Sequence, residues 1–174
     1  MVRRGFTIIE LIIVIAIMGI LLVLAVVNLR GTQVNARDEK RKANVEAIAS
    51  HLEVFYRSGT DSSSTVGRYP STGIIGNETV ILRDIDTKSL ISPSNSTSSF
   101  VAATNAVTTT VGVTPSPSAV SAANDVYVYQ PLKTTDGGVT WTLCTSGTDD
   151  CRKFNLYYWN ETNSVVMQLQ SRNQ

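Results

Sequence analysis

One histidine and two cysteines stand in 174 residues, with five prolines and 17% charged side chains. A single imidazole, His51, excludes a His-pair metal site and any mechanism that needs two histidines. The balance of 15 Lys+Arg against 14 Asp+Glu, a formal net charge of +1, removes any global electrostatic drive toward nucleic acid. No Gly-x-Ser-x-Gly elbow, phosphate loop or zinc-helix motif occurs. These deficits exclude the common catalytic recipes, so no enzyme activity is expected and no cofactor is implied. The length suits one domain of ordinary size. What is present is unevenly spread: aliphatic residues crowd the N-terminus, while Ser, Thr, Ala, Gly and Asn dominate the middle.

From Phe6 to Val27 only Thr7, Glu10 and Gly19 interrupt an apolar run. A helix of about 22 residues covers roughly 33 Å, enough to cross a bilayer core. A cleaved secretory signal is the competing reading, with Arg3 and Arg4 as its basic region and Val23-Leu24-Ala25 as a cleavage site. The run exceeds the usual ~7 to 15 residues of such a signal and holds a carboxylate, which favours a membrane span. Arg3 and Arg4 predict a cytoplasmic N-terminus; Arg37, Lys40, Arg41 and Lys42 pull the other way, but long domains translocate largely regardless of charge. Glu10 needs an explanation, because a carboxylate in such a helix costs roughly 2.5 to 3.5 kcal/mol and usually marks a partner or a function. A role-free position at the cytoplasmic interface is the plain alternative.

The string Arg3-Arg4-Gly5-Phe6-Thr7-Ile8-Ile9-Glu10-Leu11, followed by a long aliphatic run, resembles the class III signal of type IV prepilins and type II secretion pseudopilins. The resemblance is strong to about residue 58 and only architectural beyond. It implies cleavage between Gly5 and Phe6 by a membrane-embedded prepilin peptidase, N-methylation of Phe6 by the same enzyme class, and use of the helix as the core of a filament. It also implies an assembly platform with its ATPase. The freed Phe6 amine would add positive charge to the positive end of the helix dipole. Glu10 of a neighbouring subunit is then expected to pair with it and set the axial register, since an unpaired buried charge costs several kcal/mol. Many such pilins have a proline where Val27 stands, in a region after the glycine that loses helicity in the filament. With Val27 here, a melted segment near Gly19 is not carried over.

Asn28 to about Ser58 has no proline, and Val45, Ile48, Ala49, Leu52, Phe55 and Tyr56 recur at spacings of three and four, predicting a second, amphipathic half of the same helix. The Arg37 to Lys42 cluster is read as a solvated opposite face, with lipid head groups or neighbouring loops as alternatives. His51 is read as a surface or packing residue. Residues 57 to 73 form a linker by composition, in which Arg68-Tyr69-Pro70 resembles the Tyr-Pro of many pilins and is expected to dock the loop on the helix. Thr79 to Ile91 holds a short strand or turn-rich stretch around Val80-Ile81-Leu82. Ser92 to Asn124, with Pro93, Pro115 and Pro117, is expected to bury little by itself: an extended surface loop, or a hydroxyl-rich surface for glycans or filament-exterior contacts.

Four strand-like runs follow: Asp125 to Gln130, Val139 to Cys144, Lys153 to Trp159 and Ser164 to Gln170, separated by turn chemistry at Asp136-Gly137-Gly138 and Asn160 to Asn163. One face is expected on the helix stripe and the other more polar. Cys144 and Cys151 are read as flanking a hairpin. Outside the membrane they should be oxidised to one another, worth roughly 2.5 kcal/mol in the chain-entropy account. Half of a metal site is the alternative, with no histidine nearby. Asp149 and Asp150 offer too few oxygen ligands to claim Ca²⁺.

The expected fold is α+β, a long N-terminal helix packed on a C-terminal antiparallel sheet. The expected organisation is a leader at 1–5, a membrane or filament-core helix at 6–27, an amphipathic helix at 28–58, a Ser/Thr-rich loop region at 59–124 and the sheet with its disulfide at 125–174. The expected function is a type IV pilus subunit that polymerises with itself, sitting in the cytoplasmic membrane before assembly and outside the cell afterwards, for motility, adhesion or DNA uptake. A type II secretion pseudopilin is the first alternative; an unprocessed membrane-anchored binding protein is the second.

Overall fold

The computed structural model describes residues 6–59, 66–76, 81–95, 97, 99–104, 109–110 and 120–173, with only the backbone described at 26–30 and 109–110. The leader, Gly5, Val80, Pro115 and Pro117 lie outside the described residues. The chain divides into two compact units, Met1–Ala36 and Arg37–Gln174. The layout is α+β: helix α1 (Ile8–Ser58) precedes a mostly antiparallel sheet.

In the first unit α1 starts after Thr7, and Ile8–Ala25 is long and apolar enough to cross a membrane by length and composition. Each residue from Phe6 to Ala25 is exposed, so among the described residues this apolar surface is left uncovered. The helical assignment carries through Gly19 and Val27, as expected where no proline removes a backbone donor.

In the second unit the buried face of α1 is Asp38, Arg41, Val45, Ile48, Leu52 and Phe55, an alternation of three and four residues that keeps one stripe inward. The stripe therefore begins two turns before the apolar residues do, and the Arg37 to Lys42 cluster is not simply a solvated face. Arg41 is 1% exposed. Its position matches the apolar period, and carboxylates from the sheet side make burial of a guanidinium tolerable.

Between α1 and the main strands lie a short helix α2 (Thr72–Ile75), a 3-10 turn (Thr87–Leu90), β1 (Phe100–Ala102) and β2 (Thr109–Thr110). Ile81 and Leu82 are buried, Ile81 in helical conformation and Leu82 in the turn that follows, so of the two expectations for this stretch the turn-rich one holds. The Ser92 to Asn124 stretch contributes more than its composition predicts: β1 pairs in parallel with the main sheet, and Phe100, Ala103 and Val120 are buried.

The four predicted strands are β3 (Tyr127–Lys133), β4 (Thr140–Leu143), β5 (Lys153–Asn160) and β6 (Val165–Gln170), in the order β2-β4-β3-β5-β6 with β1 against β3. One expectation is corrected: Cys144 and Cys151 do not flank a hairpin. Leu132 of β3 is opposite Leu143 of β4 on one side and Lys153 of β5 on the other, so the 144–152 loop carries the chain across β3. Strand β3 is long enough to take β1 and β4 in succession along one edge and β5 along the other. Pro131 falls where that first edge passes from β1 to β4, so its missing N–H breaks no ladder.

Alternation along β3 sends Tyr127 and Tyr129 toward α1 and Val128 to the opposite face. The opposite face is not merely polar. Val128, Leu143 and Tyr157 form a second apolar cluster with Ala103 and Val120, beside a buried amide network in which Asn155 Nδ2 and Tyr157 OH both donate to Gln130 Oε1 at 3.0 Å.

Candidate assembly and processing site

The N-terminal end of α1 is built as a capping box. The Thr7 carbonyl accepts from the Leu11 amide at 3.3 Å, and Thr7 Oγ1 accepts from the Glu10 amide at 3.3 Å. Glu10 reaches back, its Oε2 accepting from the Thr7 amide at 3.0 Å and from Thr7 Oγ1 at 2.8 Å. The carboxylate thus satisfies helix-end donors that have no intrahelical partner. Phe6, 82% exposed, stands immediately before this box. The sequence reading assigned Glu10 to a partner and missed its local role, although Thr-x-x-Glu ahead of an apolar run is a legible signature.

In the second unit two polar centres fasten α1 to the sheet. At the first, Arg41 Nη2 donates to Asp125 Oδ2 at 2.7 Å, Arg41 Nη1 to Asp38 Oδ1 at 2.8 Å and to Glu161 Oε2 at 3.3 Å. Asp38 in turn accepts from the Glu161 and Thr162 amides, each at 2.8 Å, tying the β5–β6 turn to the helix. Arg37 Nε adds a bond to Glu161 Oε2 at 2.9 Å. Burial acts to raise the Asp38 and Asp125 carboxyls, but the hydroxyl, amide and guanidinium donors outweigh it and hold both below their ordinary value. The Arg37 bond holds Glu161 down likewise.

At the second centre, Tyr69 OH donates to Glu53, 3.0 Å from either oxygen, and the same carboxylate accepts from the Arg172 amide at 2.9 Å and Asn173 Nδ2 at 2.7 Å. The Tyr69 ring packs at 4.7 Å from Tyr56 and edge-on at 4.8 Å from Phe154. Burial pushes the Tyr69 hydroxyl up to about 12. The Tyr-Pro element therefore does dock on the helix, with Pro70 O also accepting from Tyr129 OH at 2.7 Å.

Cys144 and Cys151 form a disulfide with both residues buried and their Cα atoms 5.9 Å apart. Beside it, Asp149 accepts from Lys133 Nζ at 2.7 Å and from the Thr145 and Ser146 amides at 2.9 Å, while Asp150 accepts from Arg152 Nε at 2.8 Å. Both carboxylates are engaged by protein donors, and the described residues hold no cluster of three or more metal-ligating side chains. His51 lies half-buried on α1.

Residues 1–26 match the family model of the prokaryotic N-terminal methylation motif. Over 70 residues the chain is 37% identical to the type II secretion system core protein G of Dickeya chrysanthemi, covering 40% of this chain and 41% of that one. Over 70 residues it is 40% identical to the core protein G of Klebsiella michiganensis, covering 40% of this chain and 44% of that one. The chain thus spans less than half the length of the curated relatives it matches. No solved structure matches it. The chain thus carries a prokaryotic N-terminal methylation motif ahead of an apolar helix and an α+β layout, and over 70 residues it is similar to type II secretion system core protein G.

Proposed function

We propose that this pilin-like chain is a pseudopilin, a structural and non-catalytic subunit whose polymer serves a type II secretion machine. The observation that carries this reading is the similarity over 70 residues to two core G proteins, which favours a pseudopilin over the surface pilus expected from the sequence alone. Physical need supports a polymer of either kind: apolar side chains from Phe6 to Leu24 are exposed in the single chain and gain by burial in lipid or among copies of themselves.

In this reading prepilin peptidase removes residues 1–5 and methylates Phe6, the 6–27 helix waits in the cytoplasmic membrane, and the polymer forms on an assembly platform driven by its ATPase. Residues 28–58, 59–124 and 125–174 supply the stem, the connecting region and the sheet. Glu10 completes its own helix cap through Oε2, and Oε1, which takes none of those bonds, is the oxygen assigned to the Phe6 amine of the next subunit.

A type IV pilus is the second reading, favoured by the Cys144–Cys151 disulfide and the Ser/Thr-rich middle, which suit an extracellular fibre. Deletion of the chain in its host separates the two. A pseudopilin predicts exoproteins stranded in the periplasm and no loss of shearable surface filaments; lost filaments with normal secretion would establish the pilus instead.

A further inference from the structure

The loop that crosses β3 also carries the segment that docks on α1. The Tyr69 amide donates to the Cys151 carbonyl at 2.9 Å, and the Thr72 amide to the Cys144 carbonyl at 3.0 Å. The two backbone acceptors that hold the 69–72 stretch thus belong to the two cysteines of the disulfide. The approach is close: a Cβ on Gly73 would stand 2.6 Å from Thr145 O, and one on Gly147 3.4 Å from Ile74 Cγ2. From this seat Tyr69 reaches Glu53 and Tyr56 of α1, and Pro70 meets Tyr129 of β3. The ladders of the sheet reach only the ends of the loop, where the Cys144 amide donates to the Pro131 carbonyl and the Arg152 amide to the Leu132 carbonyl, each at 2.9 Å. Strand β3 pairs with β5 from Val128 to Leu132, and β5 with β6 from Asn155 to Asn160.

We propose that the Cys144–Cys151 disulfide is a redox latch: while it is closed the two carbonyls are held at the spacing that seats residues 69–75, and when it is reduced that segment leaves α1 while the sheet persists. Closure is a two-electron exchange. The Cys144 and Cys151 thiols give up two protons and two electrons to an external disulfide, either glutathione disulfide or the active-site disulfide of an oxidoreductase, which departs as two thiols. In a reducing cytoplasm the segment would be unseated, and in an oxidising compartment it would lock. Exposure of Tyr56 and Glu53 would then distinguish a subunit whose sheet has not left the cytoplasm. The proposal is independent of whether the polymer serves secretion or a pilus.

Residue-resolved amide hydrogen exchange on the full chain in detergent micelles, oxidised and after dithiothreitol, tests the latch. Exchange at Tyr69 and Thr72 is expected to rise at least tenfold on reduction, and tryptic cleavage after Arg68 to accelerate, while amides of β3 and β5 keep their rates and glutathione disulfide restores the original pattern. Gly73→Ala, with the disulfide intact, is expected to give the same local release. Retained protection at Tyr69 and Thr72 in the reduced protein overturns the proposal, as does a loss that extends across β3 and β5. Unchanged protection in Gly73→Ala overturns the seating geometry on which it rests.

Discussion

Arg41 of α1 and Asp125, the residue that leads into β3, form a buried ion pair in which Arg41 Nη2 lies 2.7 Å from Asp125 Oδ2 and Arg41 Nε lies 3.0 Å from the same oxygen. Side-on engagement of a planar guanidinium by one carboxylate fixes the helix against the sheet in both distance and rotation. Asp38 and Glu161 take the remaining guanidinium edge, so one cation serves three carboxylates.

Removing that cation is predicted to be costly because two buried carboxylates lose their counter-charge. Arg41→Ala should destabilise the sheet-bearing unit by about 3–5 kcal/mol. Arg37→Ala removes a solvent-screened pair about one third exposed on each side and should cost far less than Arg41→Ala. Urea unfolding of the full chain in micelles, followed by tryptophan fluorescence, compares them; equal midpoints for the two variants would contradict the assignment.

Stability is predicted to fall in acid through the same cluster. The folded values of Asp38, Asp125 and Glu161 lie below the unfolded values of ~3.9 and ~4.3, so the folded state binds fewer protons than the unfolded one. Their contribution is complete above about pH 5 and is lost as the pH drops through the folded values. Asp136, held at about 2 by Thr140, Thr134 and the Val139 amide, adds to the same slope. Thermal midpoints measured between pH 2 and 7 should decline below about pH 4, and Asp38→Asn should flatten the decline.

Tyr69→Phe keeps the ring contacts with Tyr56 and Phe154 and deletes one donor to the buried Glu53 carboxylate. The expected loss is about 1–3 kcal/mol, the cost of an under-satisfied buried acceptor. Because Arg172 and Asn173 share that carboxylate, exchange at the C-terminal residues should rise in the same variant. A C-terminus as protected as in the parent chain would show that Glu53 holds it without help from Tyr69.

Much of this was legible in the sequence, and the failures have physical causes. The long apolar helix, the N-terminal methylation motif and all four main strands follow from local pattern, because apolar run length and β-branched alternation act within a segment. Strand order does not. Nothing local says that Leu143 and Lys153 both face Leu132, so the 144–152 crossing read as a hairpin. Arg41 and Asp38 were hidden by residue type, since charge suggested solvent, although the spacing 38, 41, 45, 48, 52, 55 placed them on the buried stripe. Phe100 to Ala103 is a short apolar run and Val120 a single aliphatic residue in a Ser/Thr-rich stretch, and their burial depends on a sheet face supplied by distant residues.

Glu10→Ala separates the cap from assembly. Loss of a capping-box partner at an exposed helix end is small against the gain from burying an apolar span in lipid. The variant should therefore accumulate in the membrane at the parent level yet polymerise poorly, whereas Thr7→Ala, which loses the cap alone, should still assemble. Filaments of normal yield and length from Glu10→Ala would remove Glu10 from the assembly mechanism.

The proposed role as a processed, pilin-like subunit is tested most directly at the N-terminus. Mass spectrometry of the protein isolated from its host membrane is predicted to find a chain that begins at N-methylated Phe6. A mature chain that begins at Met1, with prepilin peptidase active in the same cells, would contradict it.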